Sequence, residues 1–233
     1  MELTFASYNI HKAVGLDRRR DPERIMAVLR EIDADVIALQ EADRRFGRRV
    51  TALPRTLIDE SPWMAVPLNH RPDSIGWHGN ALLVRRGMTI AEAAAVPLPT
   101  LEPRGAVRAD LIVADRRVRV VGMHLDLSGL RRRHQVRAIL DHLDACDGHC
   151  PSVLMGDLNE WSQHGGALRE FGSGWQVLAP GRSFPSRSPL AQLDRIAHSY
   201  GWCDVHAHVH HSALAARASD HLPVVARLRL PKN

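Results

Sequence analysis

The chain has 233 residues, 45% of them hydrophobic, and a formal net charge of +5. No apolar run reaches membrane-spanning length, and three cysteines are too few and too odd a set for a disulfide framework, so a cytoplasmic location is expected. The basic balance fits a polyanionic partner, but lysine occurs only at 12 and 232, so the charge reflects an arginine-rich coding bias as much as function.

Residues 3–9 read as a strand, and its opening residues are expected to belong to the fold rather than to a secretory signal. Asp21-Pro22 then opens a helix, with Ile25, Val28, Leu29 and Ile32 at helical spacing. A short buried strand at 35–40 completes a strand–helix–strand unit, which favours parallel pairing. From residue 63 the pattern changes to successive strands at about 64–68, 79–85, 88–96, 106–114 and 117–125, joined by short turns such as Arg86-Gly87 and Asp115-Arg116. A helix over 129–145 follows, with Val136, Ile139, Leu140 and Leu143 on one face, and then a strand at 152–156. Closing strands are expected at 193–198, 202–209 and 223–230. The stretches near 97–105 and 180–189 read as loops, none as a linker, so residues 1–233 are expected to form a single domain.

The most informative residues are Gly156-Asp157-Leu158-Asn159-Glu160, directly after the apolar run Val153-Leu154-Met155. A carboxylate and a carboxamide two apart at a strand end project the same way, into a cleft. Asp157 can orient or deprotonate a water while the Asn159 amide donates to a phosphoryl oxygen, and Gly156 is expected to leave room for a substrate. Alone, this pattern is equally an Asp/Asn turn closing a strand.

Further blocks agree with the first reading. Ser7-Tyr8-Asn9-Ile10-His11 ends the first strand and Ala38-Leu39-Gln40-Glu41 the second; Gly79-Asn80-Ala81-Leu82-Leu83, Gly122-Met123-His124-Leu125-Asp126, Leu193-Asp194-Arg195-Ile196 and Ser219-Asp220-His221-Leu222-Pro223 follow in order. On these residues the chain resembles the endonuclease/exonuclease/phosphatase superfamily, the metal-dependent phosphoesterases with a DNase I-like fold. The resemblance runs from residue 5 to residue 228 and looks most like compact bacterial members. It implies an α/β fold, a four-layer sandwich of two mixed β-sheets with outer helices.

A phosphodiester repels a nucleophile, so its hydrolysis needs positive charge, a positioned water and a proton for the leaving oxygen. Hard divalent cations such as Mg2+ take oxygen ligands and one or two carboxylates, and Glu41 at a strand end is the best single candidate. The resemblance implies that Glu41 binds Mg2+ or Mn2+ together with Asn9 and Asp220. It makes His221 the general acid/base or the stabilising cation, with Asp194 orienting its other nitrogen, and makes His124 a second donor to the phosphoryl oxygens. Asn80, in a block near the family's active site, is expected to bind substrate or to orient a neighbouring catalytic side chain, and Arg131 is an expected substrate contact. Arginines 18–20, 44–45 with 48–49, and 131–133 could rim a cleft for phosphates or simply be solvated surface. Cys146 and Cys150 with His149 lack the fourth ligand of a zinc site, and His206, His208 and His210 alternate along one strand face and read as a surface strand.

The reaction type is therefore better defined than the substrate. The text around Asn9 and Asp194 departs from abasic-site endonucleases, and Asp194-Arg195-Ile196 echoes only the core of the inositol 5-phosphatase motif. Nucleic acid is the favoured substrate, with phospholipid or a small phosphodiester behind it. A reading of another class is a catalytically inactive phosphate- or nucleic-acid-binding domain, against which the intact acidic and imidazole residues argue.

Overall fold

Alternation along each strand decides which side is buried, and here both sides are apolar. In the computed structural model, which describes residues 1–44, 50–68, 73–99, 104–146 and 148–231, strand β1 (Glu2–Asn9) sends Leu3 and Phe5 into one buried cluster and Ala6 and Tyr8 into another. Strand β2 (Val36–Gln40) divides its residues the same way, Val36 and Ala38 from Ile37 and Leu39. Strands that are apolar on both faces must be covered on both.

Two six-stranded sheets meet that demand. The first has the order β11 (Cys203–Val209), β12 (Val224–Arg229), β1, β2, β4 (Ala81–Arg85), β3 (Trp63–Ala65). The second has the order β5 (Thr89–Pro97), β6 (Gly105–Val113), β7 (Arg116–His124), β8 (Ser152–Asp157), β10 (Asp194–Ser199), β9 (Trp175–Leu178). In each sheet only the central pair is parallel, β1 with β2 and β7 with β8. Each of these pairs is joined by a helix: α1 (Pro22–Ile32) and α3 (Gly129–Asp144). The sheets pack face to face through Phe5, Val36, Ala38 and Leu82 on one side and Val107, Val120, Val153 and Met155 on the other. Gly122 permits the close approach, since a β-carbon there would stand 3.0 Å from Leu82 and 3.1 Å from Ala38 of the opposite sheet.

Helices cover the outer faces and complete four layers. Asp21 caps α1 by accepting from the Arg24 amide at 2.9 Å, Pro22 occupies its first turn, and Asp33 ends it in the left-handed conformation at φ 50°. Its buried Ile25, Met26, Val28 and Leu29 pack on the first sheet, where the short helices α2 (Arg55–Asp59) and α4 (Ala215–Ala218) also lie. Val136, Ile139 and Leu143 of α3 cover the second sheet together with Phe171, from the 3-10 turn Gly166–Phe171.

The α/β sandwich is thus the one the family resemblance implies, with differences in detail. The strand expected at 64–68 ends at Ala65, and the one expected at 79–85 begins at Ala81. Helices α2 and α4 and strand β9 were not foreseen because five, four and four residues are too short to display a period. His210 has a carboxylate neighbour, Glu31 of α1 at 2.9 Å, brought in by the fold from far away in sequence. Cys146, Cys150 and Cys203 are free, and the Cys146 sulfur faces an Arg108 guanidinium nitrogen at 2.6 Å. Among the described residues no helix is long and apolar enough to cross a membrane.

Candidate active site

The rows that are apolar in the middle of the sandwich turn polar at one rim. Val118, Val120 and Gly122 of β7 lead to His124; Val153 and Met155 of β8 lead to Asp157; Leu3 and Phe5 of β1 lead to Ser7 and Asn9. Period-two alternation keeps each polar residue on the inter-sheet side of its strand. Register then lines them up: His124 pairs with Asp157 and Asp157 with Asp194, one row across the second sheet, while Asn9 lies opposite Gln40 in the first.

Asp157 is the centre. Its Oδ2 accepts from the Asn9 amide at 3.0 Å and lies 3.4 Å from His124 Nε2 and 3.7 Å from His221 Nε2. Its Oδ1 accepts from the Asn159 backbone amide at 2.9 Å, which holds Asn159 in a left-handed conformation at φ 50°. His221 Nδ1 is 2.9 Å from Asp194 Oδ2, which also accepts from Ser183 Oγ at 2.5 Å. Burial pulls the His221 pKa down, but the carboxylates of Asp194 and Asp157 outweigh it and raise it to about 10, so the ring is an imidazolium at neutral pH. The Phe184 ring packs against it at a tilt of 43°, with centroids 4.8 Å apart.

His124 has the opposite character. Burial pulls its pKa down to about 3 against the pull of Asp157, and the Arg104 charge adds to the fall. The ring is neutral, and its Nε2 faces both the Arg104 guanidinium and, at 3.4 Å, Asp157 Oδ2.

Glu41 stands at the end of β2 in the left-handed region at φ 52°, opposite a turn whose three residues, His11, Lys12 and Ala13, also have positive φ of 45°, 58° and 59°. The Lys12 amide donates to the Glu41 carbonyl at 3.1 Å, and the Lys12 ammonium pairs with the Glu41 carboxylate. His11 Nδ1 lies 3.8 Å from Asp220 Oδ1, and the neighbouring Ser219 hydroxyl donates to the Asn9 carbonyl at 2.7 Å. Non-glycine residues in this region cost about 1–3 kcal/mol each, and such strain collects at functional sites.

Residues 6–221 match the model of the Endonuclease/Exonuclease/phosphatase family. The chain belongs to that family. It is 26% identical over 207 residues to the uncharacterized protein YbhP of Escherichia coli K12, a match covering 81% of each chain. Among solved structures it is similar to an endonuclease/exonuclease/phosphatase from Beutenbergia cavernae, with TM-score 0.72, 23% identity and coverage of 98% of this chain and 72% of that one. It is also similar to D. rerio TDP2 complexed with a single-strand DNA product, with TM-score 0.71, 15% identity and coverage of 98% and 99%. These structural likenesses speak to the fold.

For a phosphoesterase of this family, two donor groups bear on a divalent cation. Ligand atoms of Asp157, Asp194 and His221 all lie within 4.8 Å of one another. That buried group already shares a proton between His221 and Asp194, so a cation there would have to displace it. Glu41, in contrast, already faces a positive charge, the Lys12 ammonium, and its carboxylate is a hard oxygen donor of the kind Mg2+ takes, while the Asn9 carboxamide oxygen accepts the His11 amide at 3.1 Å.

Several expected residues sit differently from the sequence reading. Gly156 is required by the neighbouring strand rather than by a ligand, since a β-carbon there would lie 1.9 Å from the Met123 carbonyl oxygen. Asn159 already gives one amide hydrogen to the Leu125 carbonyl at 2.9 Å. Asn80 is fully buried and donates to the Gly105 carbonyl at 2.9 Å, a place for holding the start of β6 rather than touching substrate. The 131–133 cluster divides: Arg131 is half-buried, Arg132 is buried against Glu160 at 3.2 Å, and Arg133 pairs with Glu170 at 2.6 Å. Arg44 is exposed, while Arg45, Arg48 and Arg49 lie outside the described residues. Arg104, Ser183, Phe184 and Lys12 were missed as site residues, because no local motif marks them.

Proposed function

We propose that this protein is a Mg2+- or Mn2+-dependent phosphodiesterase that hydrolyses its substrate by water attack on phosphorus, with nucleic acid the favoured substrate. The observation that carries the reading is the Asp157–His221–Asp194 network, which keeps one imidazolium and two carboxylates in a buried row at the rim of the cleft. A divalent cation held by Glu41, with Asn9 and Asp220 beside it, would neutralise charge on the phosphoryl oxygens.

Asp157, with one carboxylate oxygen facing both histidines, orients the attacking water and draws its proton. His221 arrives already charged, so it stabilises the developing oxyanion and can give its proton to the leaving oxygen. Asp194, steadied by Ser183, holds the ring in that state. Arg104, with His124 behind it, supplies a planar cation suited to phosphate, and the second amide hydrogen of Asn159 is available to a phosphoryl oxygen. Asn80 positions Arg104 through the Gly105 carbonyl, and Arg131 is the substrate contact of its cluster.

The solved TDP2 structure with a single-strand DNA product supports nucleic acid, as does the net charge of +5. Phospholipid is the second reading, favoured by the apolar Trp161 standing 67% exposed beside the catalytic pair. Turnover assays with plasmid, single-stranded DNA, RNA, phospholipid vesicles and a bis-aryl phosphate, each with and without EDTA, test the proposal. Full activity in EDTA would remove the metal, and no turnover of any diester would leave a phosphate-binding domain.

A further inference from the structure

Lysine is the rare cation in this chain: of 31 basic Lys and Arg residues only Lys12 and Lys232 are lysines. Lys12 is also the one whose ammonium meets the carboxylate assigned above to the metal. Its backbone is fixed for that meeting. His11, Lys12 and Ala13 take positive φ in succession, and the amides of Ile10 and Lys12 donate to the carbonyls of Gln40 and Glu41 at 3.0 and 3.1 Å. Parallel pairing of β1 and β2 is thereby prolonged by one turn, which brings the two side chains together. Both are about a quarter exposed, so the pair is open to exchange with ions from solution.

The choice of lysine over arginine has a chemical meaning here. An ammonium is a compact point charge on a flexible stem, held by one contact and easily released, whereas a guanidinium grips a carboxylate through two parallel hydrogen bonds. We infer that Lys12 is a placeholder cation: it occupies the Glu41 carboxylate while no metal is bound, is displaced when a divalent cation arrives, and then turns to the phosphate of the substrate. The inference rests on the reading of Glu41 as the metal ligand.

Competition and charge repulsion act in the same direction, so losing the ammonium should tighten metal binding. Mn2+ titrations read by the electron paramagnetic resonance signal of the free ion measure this without turnover. Lys12→Met should bind Mn2+ about three- to fivefold more tightly than the parent, the factor expected for removing one partly exposed ion pair. Lys12→Arg should bind it more weakly than the parent, because the bidentate grip is harder to displace. At saturating metal Lys12→Met should also turn over more slowly, having lost a cation for the phosphate. Glu41→Gln is the control that separates the two ideas. If it binds Mn2+ as the parent does, Glu41 is not the ligand and both readings fall. If it loses binding while Lys12→Met and Lys12→Arg leave the affinity unchanged, or Lys12→Met weakens it, the metal assignment stands and the placeholder is overturned.

Discussion

Asp157 Oδ2 gathers Asn9, His124 and His221 within 3.7 Å, yet the two histidines there hold opposite charge states. His221→Ala is expected to lower kcat by about 10²–10⁴-fold, with Asp194→Asn losing part of that through a lower imidazole pKa. The double variant should be little worse than His221→Ala, because the pair acts as a unit; multiplicative losses in rate assays would separate them. The same charge states set a pH dependence. His124, held at about 3 in the folded protein, refuses a proton that the unfolded chain takes up near pH 6.5, so its stabilising share is lost as pH falls through that interval. His221, raised to about 10, contributes stability that is complete below about pH 6.5 and disappears as pH climbs to 10. Urea midpoints in EDTA should therefore converge with His124→Gln on acidification and with His221→Gln on alkalinisation; a gap independent of pH would contradict either assignment. The meeting of Asp157, Asn159 and His221 at one rim was legible because each ends a strand or sits in an ordered block. Arg104 was not, and hairpin arithmetic explains why. The turn lies at Ala114-Asp115, both with positive φ, one residue earlier than its sequence suggests; that slip hides the pairing of Gly105 with His124, which puts Arg104 at the site.

At the scale of elements, one buried ion pair ties the loops that carry the site. Arg132 in the first turn of α3 donates to the carbonyls of Asp126 and Leu127 after β7 and to Glu160 after β8. Glu160 also accepts the amides of Ser162 and Ala167, both at 3.0 Å, which fastens the 3-10 turn behind it. Glu160→Ala leaves a buried guanidinium unpaired and should cost about 3–5 kcal/mol by urea denaturation. Arg133→Ala on the exposed side of the same helix should cost no more than about 1 kcal/mol, although its pair with Glu170 is shorter. Helix α1 was readable from its cap, its proline and its apolar period. The turn at His11–Ala13 was not, since left-handed backbone is signalled by glycine or asparagine and none of its three residues is either.

For the whole molecule, the net charge of +5 makes salt the natural probe of a polyanionic substrate. If nucleic acid binds, log affinity should fall linearly with log salt, and Arg131→Ala should reduce the slope by about one unit. Neutralising Arg132 or Arg133 should mainly change stability instead, because carboxylates of the chain itself already take their charge; a slope near zero in the parent would move phospholipid ahead. The sandwich itself was foreseeable only through the ordered family blocks, since no local pattern says that β1 pairs with β12 from the other end of the chain. That pairing has a bearing on synthesis. The second sheet is one uninterrupted stretch, Thr89–Ser199, whereas the first needs β11 and β12 to flank β1. On the ribosome, at roughly 5–20 residues per second, the second sheet can assemble while β1 still lacks its antiparallel neighbour. Chains stalled before Val224 should accordingly show amide protection in β6 to β8 and rapid exchange of the β1 amides that face β12, so the half of the cleft holding Asp157 and Asp194 matures before the half holding Asn9.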